Sequence, residues 1–164
     1  MGRIKRRVRQ AGVYFVTAHT WGRRGLFSKP EPARILVEQI LECRDRGFYK
    51  LHAFVVMPEH FHGLLTPSEE ATLEKTMQMI KGGSAHKIGK ELNYKLQVWQ
   101  AGYHDRWIRD AGEYETRRRY IELNPVTARL VDRAEAYSFS SASGKFPLDP
   151  SQFDSPGASG AKAP

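Results

Sequence analysis

The chain has 164 residues, with 26 Lys and Arg against 18 Asp and Glu, a formal net charge of +8, and 40% hydrophobic residues. That length and apolar fraction suit one packed domain with a tail, and the positive balance suits a polyanionic partner. The single Cys43 excludes an internal disulfide and a multi-cysteine zinc site, no apolar run approaches a membrane span, and "MGRIKRRVRQ" lacks the apolar stretch of a secretory signal.

"GVYFVTAHT", Gly12 to Thr20, is rich in β-branched and aromatic residues and predicts a strand. "WGRRGLFSKPEP" is punctuated by Gly and Pro and predicts a loop. From Pro32, the residues Ala33, Leu36, Val37, Ile40 and Cys43 fall on one helical face, with Gly47 just past the end. Cys43 is therefore read as a buried thiol. "YKLHAFVVM" and "HFHGLLT" predict a hairpin turning at Pro58-Glu59, because proline fits a tight turn and not a central strand. A second helix is expected over about Ala71 to Leu92, bent or broken at Gly82-Gly83. Lys75, Lys81, Lys87 and Lys90 lie along it, as a wet face or as a stripe beside nucleic acid. "YHDRWIRD" predicts a short strand. A third helix starts near Ala111, with Asp110 as N-cap and Glu113 completing a capping box; Asn124-Pro125 should end or kink it. From Ser143 the composition turns to Ser, Gly, Pro and Ala, which predicts a disordered tail over 143–164 after a domain over 1–142.

The order β-α-β-β-α-β-α predicts an α+β, ferredoxin-like antiparallel sheet with helices on one face and an added C-terminal helix. One sheet face is left partly open for a ligand.

Residues two apart on a strand share a face, so His60 and His62 project together while Phe61 points into a core. An even turn at Pro58-Glu59 places Val55 opposite His62 and Met57 opposite His60. His52 then falls on the opposite face and is read as structural; a bulge would reverse this. Alone, the pair leaves packing and metal binding both open. Two imidazoles do not complete a coordination sphere, and imidazole with side-chain and phosphate oxygen suits Mg²⁺ or Mn²⁺ bound along with nucleic acid. In "RRRYIELNP", Tyr120 and Asn124 are four apart and share a helical face, with Arg117 nearly on it. A tyrosine hydroxyl can act as a nucleophile, though packing is the other reading of Tyr120. Tyr114 faces elsewhere and reads as core.

Together, "MPEHFHGLLTP" and "YHDRWIRDAGEYETRRRYIELNPVTARLVDRAEAYSFSSA" resemble the REP-associated tyrosine transposases, IS200-like members of the single-tyrosine HUH transposases. The resemblance spans about Gly12 to Ala142. It implies that His60, His62 and Asn124 hold Mg²⁺ or Mn²⁺. It implies that Tyr120 attacks a DNA phosphodiester and keeps the 5′ phosphate. The partner that the resemblance implies is single-stranded DNA folded into an imperfect, REP-like hairpin with a short flanking guide sequence, and it assigns the reading of that flank to the basic segment Arg3, Lys5, Arg6, Arg7 and Arg9. Lys81, Lys87 and Arg117 are further candidate DNA contacts, and one of Trp99, Tyr103 and Trp107 is expected to stack on a base. The resemblance leaves monomer or homodimer open. The expected location is the bacterial cytoplasm, at the nucleoid. Two rivals remain at this stage: a non-catalytic DNA-binding repressor with the same fold, and a metal hydrolase of small phosphoesters.

Overall fold

The computed structural model describes residues 10–154, so the basic segment Arg3 to Arg9 lies outside the described residues. The elements are β1 (Tyr14–His19), α1 (Pro30–Asp45), β2 (Tyr49–Met57), β3 (His60–Pro67), α2 (Leu73–Leu92), β4 (His104–Trp107) and α3 (Ala111–Thr127), with four short 3-10 turns. The strands form one antiparallel sheet in the order β2-β3-β1-β4, the ferredoxin-like arrangement expected from the element order. No helix among the described residues is long and apolar enough to cross a membrane.

Strand alternation sorts the core into two layers. Val16, Ala18, Phe54, Val56, Phe61 and Leu65 meet Leu36, Ile40, Met77, Ile80 and Ile88 of α1 and α2 on one side. On the other, Phe15, Val55, Met57 and Leu64 meet Ile108 and, from α3, Tyr114 and Ile121. The added helix thus takes the second face. It packs chiefly on β2 and leaves the β1–β4 half open. Asp110 caps α3 by accepting the Glu113 N–H at 2.8 Å, and the Glu113 carboxylate accepts from Arg109 N at 3.1 Å. Hydrogen bonds from Arg106 and Arg109 hold the Glu113 carboxyl down to about 2.

Three local expectations need correction. Of the end or kink expected at Asn124-Pro125, the end does not occur: α3 runs through Pro125 to Thr127. Proline removes one donor there, but the last turn is closed by Ala128 N–H to Asn124 O (3.0 Å) and Leu130 N–H to Pro125 O (2.9 Å). The glycine pair does not break α2, which is continuous from Leu73 to Leu92. Gly83 instead makes room for a side chain of α1: Gln39 Nε2 donates to Met79 O at 2.9 Å, and a Cβ on Gly83 would sit 2.0 Å from that nitrogen. A Cβ on Gly82 meets nothing within 4 Å. Opposite effects follow. Gly82→Ala should stabilise by up to about 1 kcal/mol through helix propensity. Gly83→Ala should destabilise by about 1–2 kcal/mol, because the buried Gln39 must give up its bond. Thermal melts of the two variants, moving in opposite directions, are the check.

The third correction concerns the tail. Residues 143–154 are not loose. The C-terminal segment covers the outer edge of β2, with Val56 N–H to Phe139 O at 2.8 Å and Ser141 Oγ bonded to both Phe54 N and Phe54 O. Asp149 accepts from Leu51 N at 2.9 Å and takes a two-point ion pair from Arg44 at 2.8 and 2.9 Å. An edge strand presents unpaired backbone groups, and the Phe139 carbonyl, the Ser141 hydroxyl and the Asp149 carboxylate satisfy them. A composition that suggests disorder here serves as an edge cover. Residues 155–164 lie outside the described residues.

Candidate active site on the open sheet face

The hairpin turn has the even length expected: Met57 faces His60, Val56 faces Phe61 and Val55 faces His62. Both imidazoles therefore project to the α3 side, their ring centroids 4.6 Å apart, while Phe61 is buried beneath α1 and α2. His52 is different. The register shifts between Leu51 and Ala53, so a bulge turns His52 to the same side as the pair, against the expectation from parity. It remains structural for another reason: Nδ1 bonds Asp149 O at 2.8 Å and Nε2 bonds Thr66 Oγ1 at 2.7 Å, and its ring sits edge-on to Tyr114. Tyr114 is buried, as expected, with its hydroxyl donating to Asp154 at 3.2 Å.

Tyr120 stands beside His62. Its ring centroid is 5.4 Å from that of His62, and its side is 49% exposed. Phe15 on β1 forms the floor between them, stacked on His62 at 5.1 Å and 23° and edge-on to Tyr120 at 6.1 Å. The Arg117 guanidinium lies over the Phe15 ring at 5.0 Å, one turn before Tyr120. Asn124 lies one turn after Tyr120, partly exposed. Of the neighbouring arginines, Arg118 is committed to Glu115 (2.7 Å) and Glu122 (3.2 Å).

Two buried atoms have no hydrogen-bond partner here: His60 Nδ1 and His62 Nε2. A buried imidazole nitrogen left unpaired costs free energy, so such atoms call for an explanation. Burial, then the neighbouring His60, His19 and Arg117, push the His62 imidazole down to about 3, and burial lowers His60 as well. Both rings are thus neutral near pH 7, the form that can ligate a metal. No set of three or more His, Cys, Asp and Glu side chains among the described residues fits around one ion. The pair needs a different type of completing ligand, and an amide oxygen such as that of Asn124 fits the donor set.

The sequence reading missed the contribution of β1 and β4. Thr17 lies opposite His62 in the register and meets its Nδ1 at 2.7 Å. His19 lies opposite His60, with ring centroids 5.5 Å apart, and His104 of β4 approaches His19 at 6.0 Å. Alternation along "GVYFVTAHT" already puts Phe15, Thr17 and His19 on one face. Nothing local says that this face meets the histidine pair.

The lysines expected near DNA are elsewhere. Lys81 and Lys87 sit on α2, behind the sheet; Lys81 bonds the carbonyls of Gln100 and Gly102, and Lys87 pairs with Glu42. Trp99 is buried between Phe27 and Phe61, Tyr103 is half-buried on the same core, and Trp107 is 37% exposed.

Residues 12–124, which include β1, the histidine pair and α3 as far as Asn124, match the family model described as transposase, IS200-like. The chain belongs to the IS200-like transposase family. It is accordingly a transposase, an enzyme that cleaves DNA, and HUH transposases are in general metal-dependent. This IS200-like chain is 27% identical to the REP-associated tyrosine transposase of Escherichia coli K12 over 155 residues, covering 91% of itself and 90% of that relative. Among solved structures it is similar to a REP-associated tyrosine transposase bound to a REP hairpin, with 25% identity, 92% of each chain covered and a TM-score of 0.69. A candidate transposase from Deinococcus radiodurans shares the fold at a TM-score of 0.53 and 20% identity, over 74% of this chain and 96% of that one.

Proposed function

We propose that this protein is a metal-dependent strand transferase that cleaves and rejoins single-stranded hairpin DNA through a 5′-phosphotyrosine formed on Tyr120. The observation that carries this reading is an exposed phenol beside two buried, unpartnered imidazole nitrogens on one open sheet face. His60, His62 and Asn124 would hold Mg²⁺ or Mn²⁺. Such an ion, when bound, supplies Lewis-acid polarisation of the scissile phosphate. The Tyr120 oxygen attacks phosphorus as the bond to the 3′ oxygen breaks. The phenol proton passes to solvent, and the departing 3′ oxygen takes one up to leave as a hydroxyl. One phosphoester replaces another, so rejoining needs no ATP.

Within one chain the Tyr120 ring lies 5.4 Å from that of His62, near enough for attack within one subunit. Arg117, held over Phe15 beside the phenol, supplies positive charge for the phosphate. The hairpin substrate is supported by the solved relative bound to a REP hairpin. Arg3, Lys5, Arg6, Arg7 and Arg9 are assigned to the flanking guide sequence by the resemblance. Lys81 and Lys87 are left out of this surface, given their intrachain bonds behind the sheet. Trp107 is the exposed member of its set, but it pairs with Tyr14, which faces the α1–α2 layer, so it too is left out of this surface.

The test is incubation with Mg²⁺ or Mn²⁺ and a hairpin oligonucleotide labelled at the 3′ end, the side that stays on the tyrosine. A denaturation-resistant, chelator-sensitive protein–DNA band is expected. Binding without that band would favour a non-catalytic DNA-binding protein instead.

A further inference from the structure

We propose that Thr17 is a positioning residue for the metal site: its hydroxyl holds the proton of His62 on Nδ1 and thereby keeps the Nε2 lone pair for the ion. This rests on the reading of His62 as a ligand and adds a residue that lies outside the histidine–tyrosine–asparagine set.

The argument begins with the ring itself. A neutral imidazole carries one N–H, and the nitrogen that bears it cannot bind a metal. Water usually lets the two tautomers exchange. His62 has no such freedom, because it is 6% exposed and Thr17 is 7% exposed. The two nitrogens see different surroundings. Nδ1 lies 2.7 Å from Thr17 Oγ1, inside the sheet, and Nε2 has no partner. With the proton on Nδ1, the N–H donates to Thr17 and only a lone pair is left bare. With the proton on Nε2, a buried donor would be left unpaired. Metal-bound histidines commonly donate their second nitrogen to an oxygen in this manner.

The backbone makes the contact rigid. Thr17 and His62 are directly paired across β1 and β3, so their side chains rise together from one face. Threonine is β-branched and has few χ1 options in a strand. Phe15, two residues earlier on the same face, stacks on the His62 ring at 23° and limits its rotation. Hydroxyl and ring together therefore fix both the tautomer and the plane of the ligand.

Two readouts decide this. Long-range proton–nitrogen NMR on the metal-free wild-type protein reads the tautomer directly and needs no variant. His62 is expected as the Nδ1–H form; finding the proton on Nε2 would overturn the inference. The second readout is Mn²⁺ affinity, measured from the free-ion EPR signal. Thr17→Val keeps the shape and removes the oxygen, and should weaken Mn²⁺ binding about 10–100-fold, whereas Thr17→Ser should remain within about threefold of wild type. Unchanged affinity in a folded Thr17→Val protein, with its melt near wild type, sinks the proposal. His62→Ala separates the two levels. If it binds Mn²⁺ as wild type does, the metal-site reading fails, and the inference with it. If it loses Mn²⁺ while Thr17→Val keeps it, the inference about Thr17 alone is wrong.

Discussion

Tyr120→Phe should abolish the covalent protein–DNA adduct and lower hairpin cleavage by at least about 10⁴-fold, the scale seen when a covalent nucleophile is removed. The ring that packs on Phe15 and His62 is retained in phenylalanine, so the floor of the site stays in place. The lost hydroxyl belongs to a half-exposed side chain, so stability should change by less than about 0.5 kcal/mol. Binding of the hairpin should be nearly unchanged. Tyr114→Phe is the matched control. Its ring is buried and its hydroxyl is spent on Asp154, away from the histidine pair, so it should cost stability and leave the adduct intact. An adduct retained by Tyr120→Phe would refute the assignment of the nucleophile.

His62→Ala should cut metal-dependent cleavage by about 10³-fold or more, because one of the two proposed imidazole ligands is gone and its partner would not hold the ion alone. His60→Ala should behave alike. His52→Ala should do the reverse. Both its ring nitrogens tie β2 to Asp149 and Thr66, so its loss should lower stability by about 1–3 kcal/mol with cleavage retained in the folded fraction. The three histidines lie within one hairpin, and their effects should separate cleanly in paired cleavage and urea-unfolding assays. The pH dependence has a definite sign. In the metal-free protein, His62 stays neutral down to about 3, while an unfolded chain protonates the ring near its usual 6.5. Between those values the unfolded state binds more protons, so stability is full above pH 6.5 and falls as the pH drops toward 3. His60, also lowered by burial, acts in the same direction. His62→Ala should make the decline shallower. Equal slopes for wild type and variant, from urea unfolding at pH 7.5 and 5, would show that His62 is not held neutral by the fold.

Much of this molecule is legible from residue order. The period-2 and period-3.6 patterns place every strand and main helix, and a two-residue turn at Pro58-Glu59 is enough to put His60 and His62 on one face with Phe61 on the other. The pairing of "PEHFH" with "YIELNP" points to the family, because both motifs are local, and that resemblance in turn proposes Tyr120 as the nucleophile. What local patterns cannot carry is contact between distant strands. The bulge at His52 reverses a parity argument through a register shift that no turn residue announces. Gly83 reads as a helix breaker until Gln39 of another helix is brought against it. Asp149 reads as part of a disordered tail until the bare edge of β2 supplies groups for it to bond. The same holds for Thr17, an ordinary strand residue whose role follows only from the β1–β3 register that sets it 2.7 Å from the ring of His62. Residue order specifies which chemical groups are available. The free energy of burial decides which of them meet, since most buried polar atoms find a partner across the fold and two of the few that do not, His60 Nδ1 and His62 Nε2, mark the candidate site.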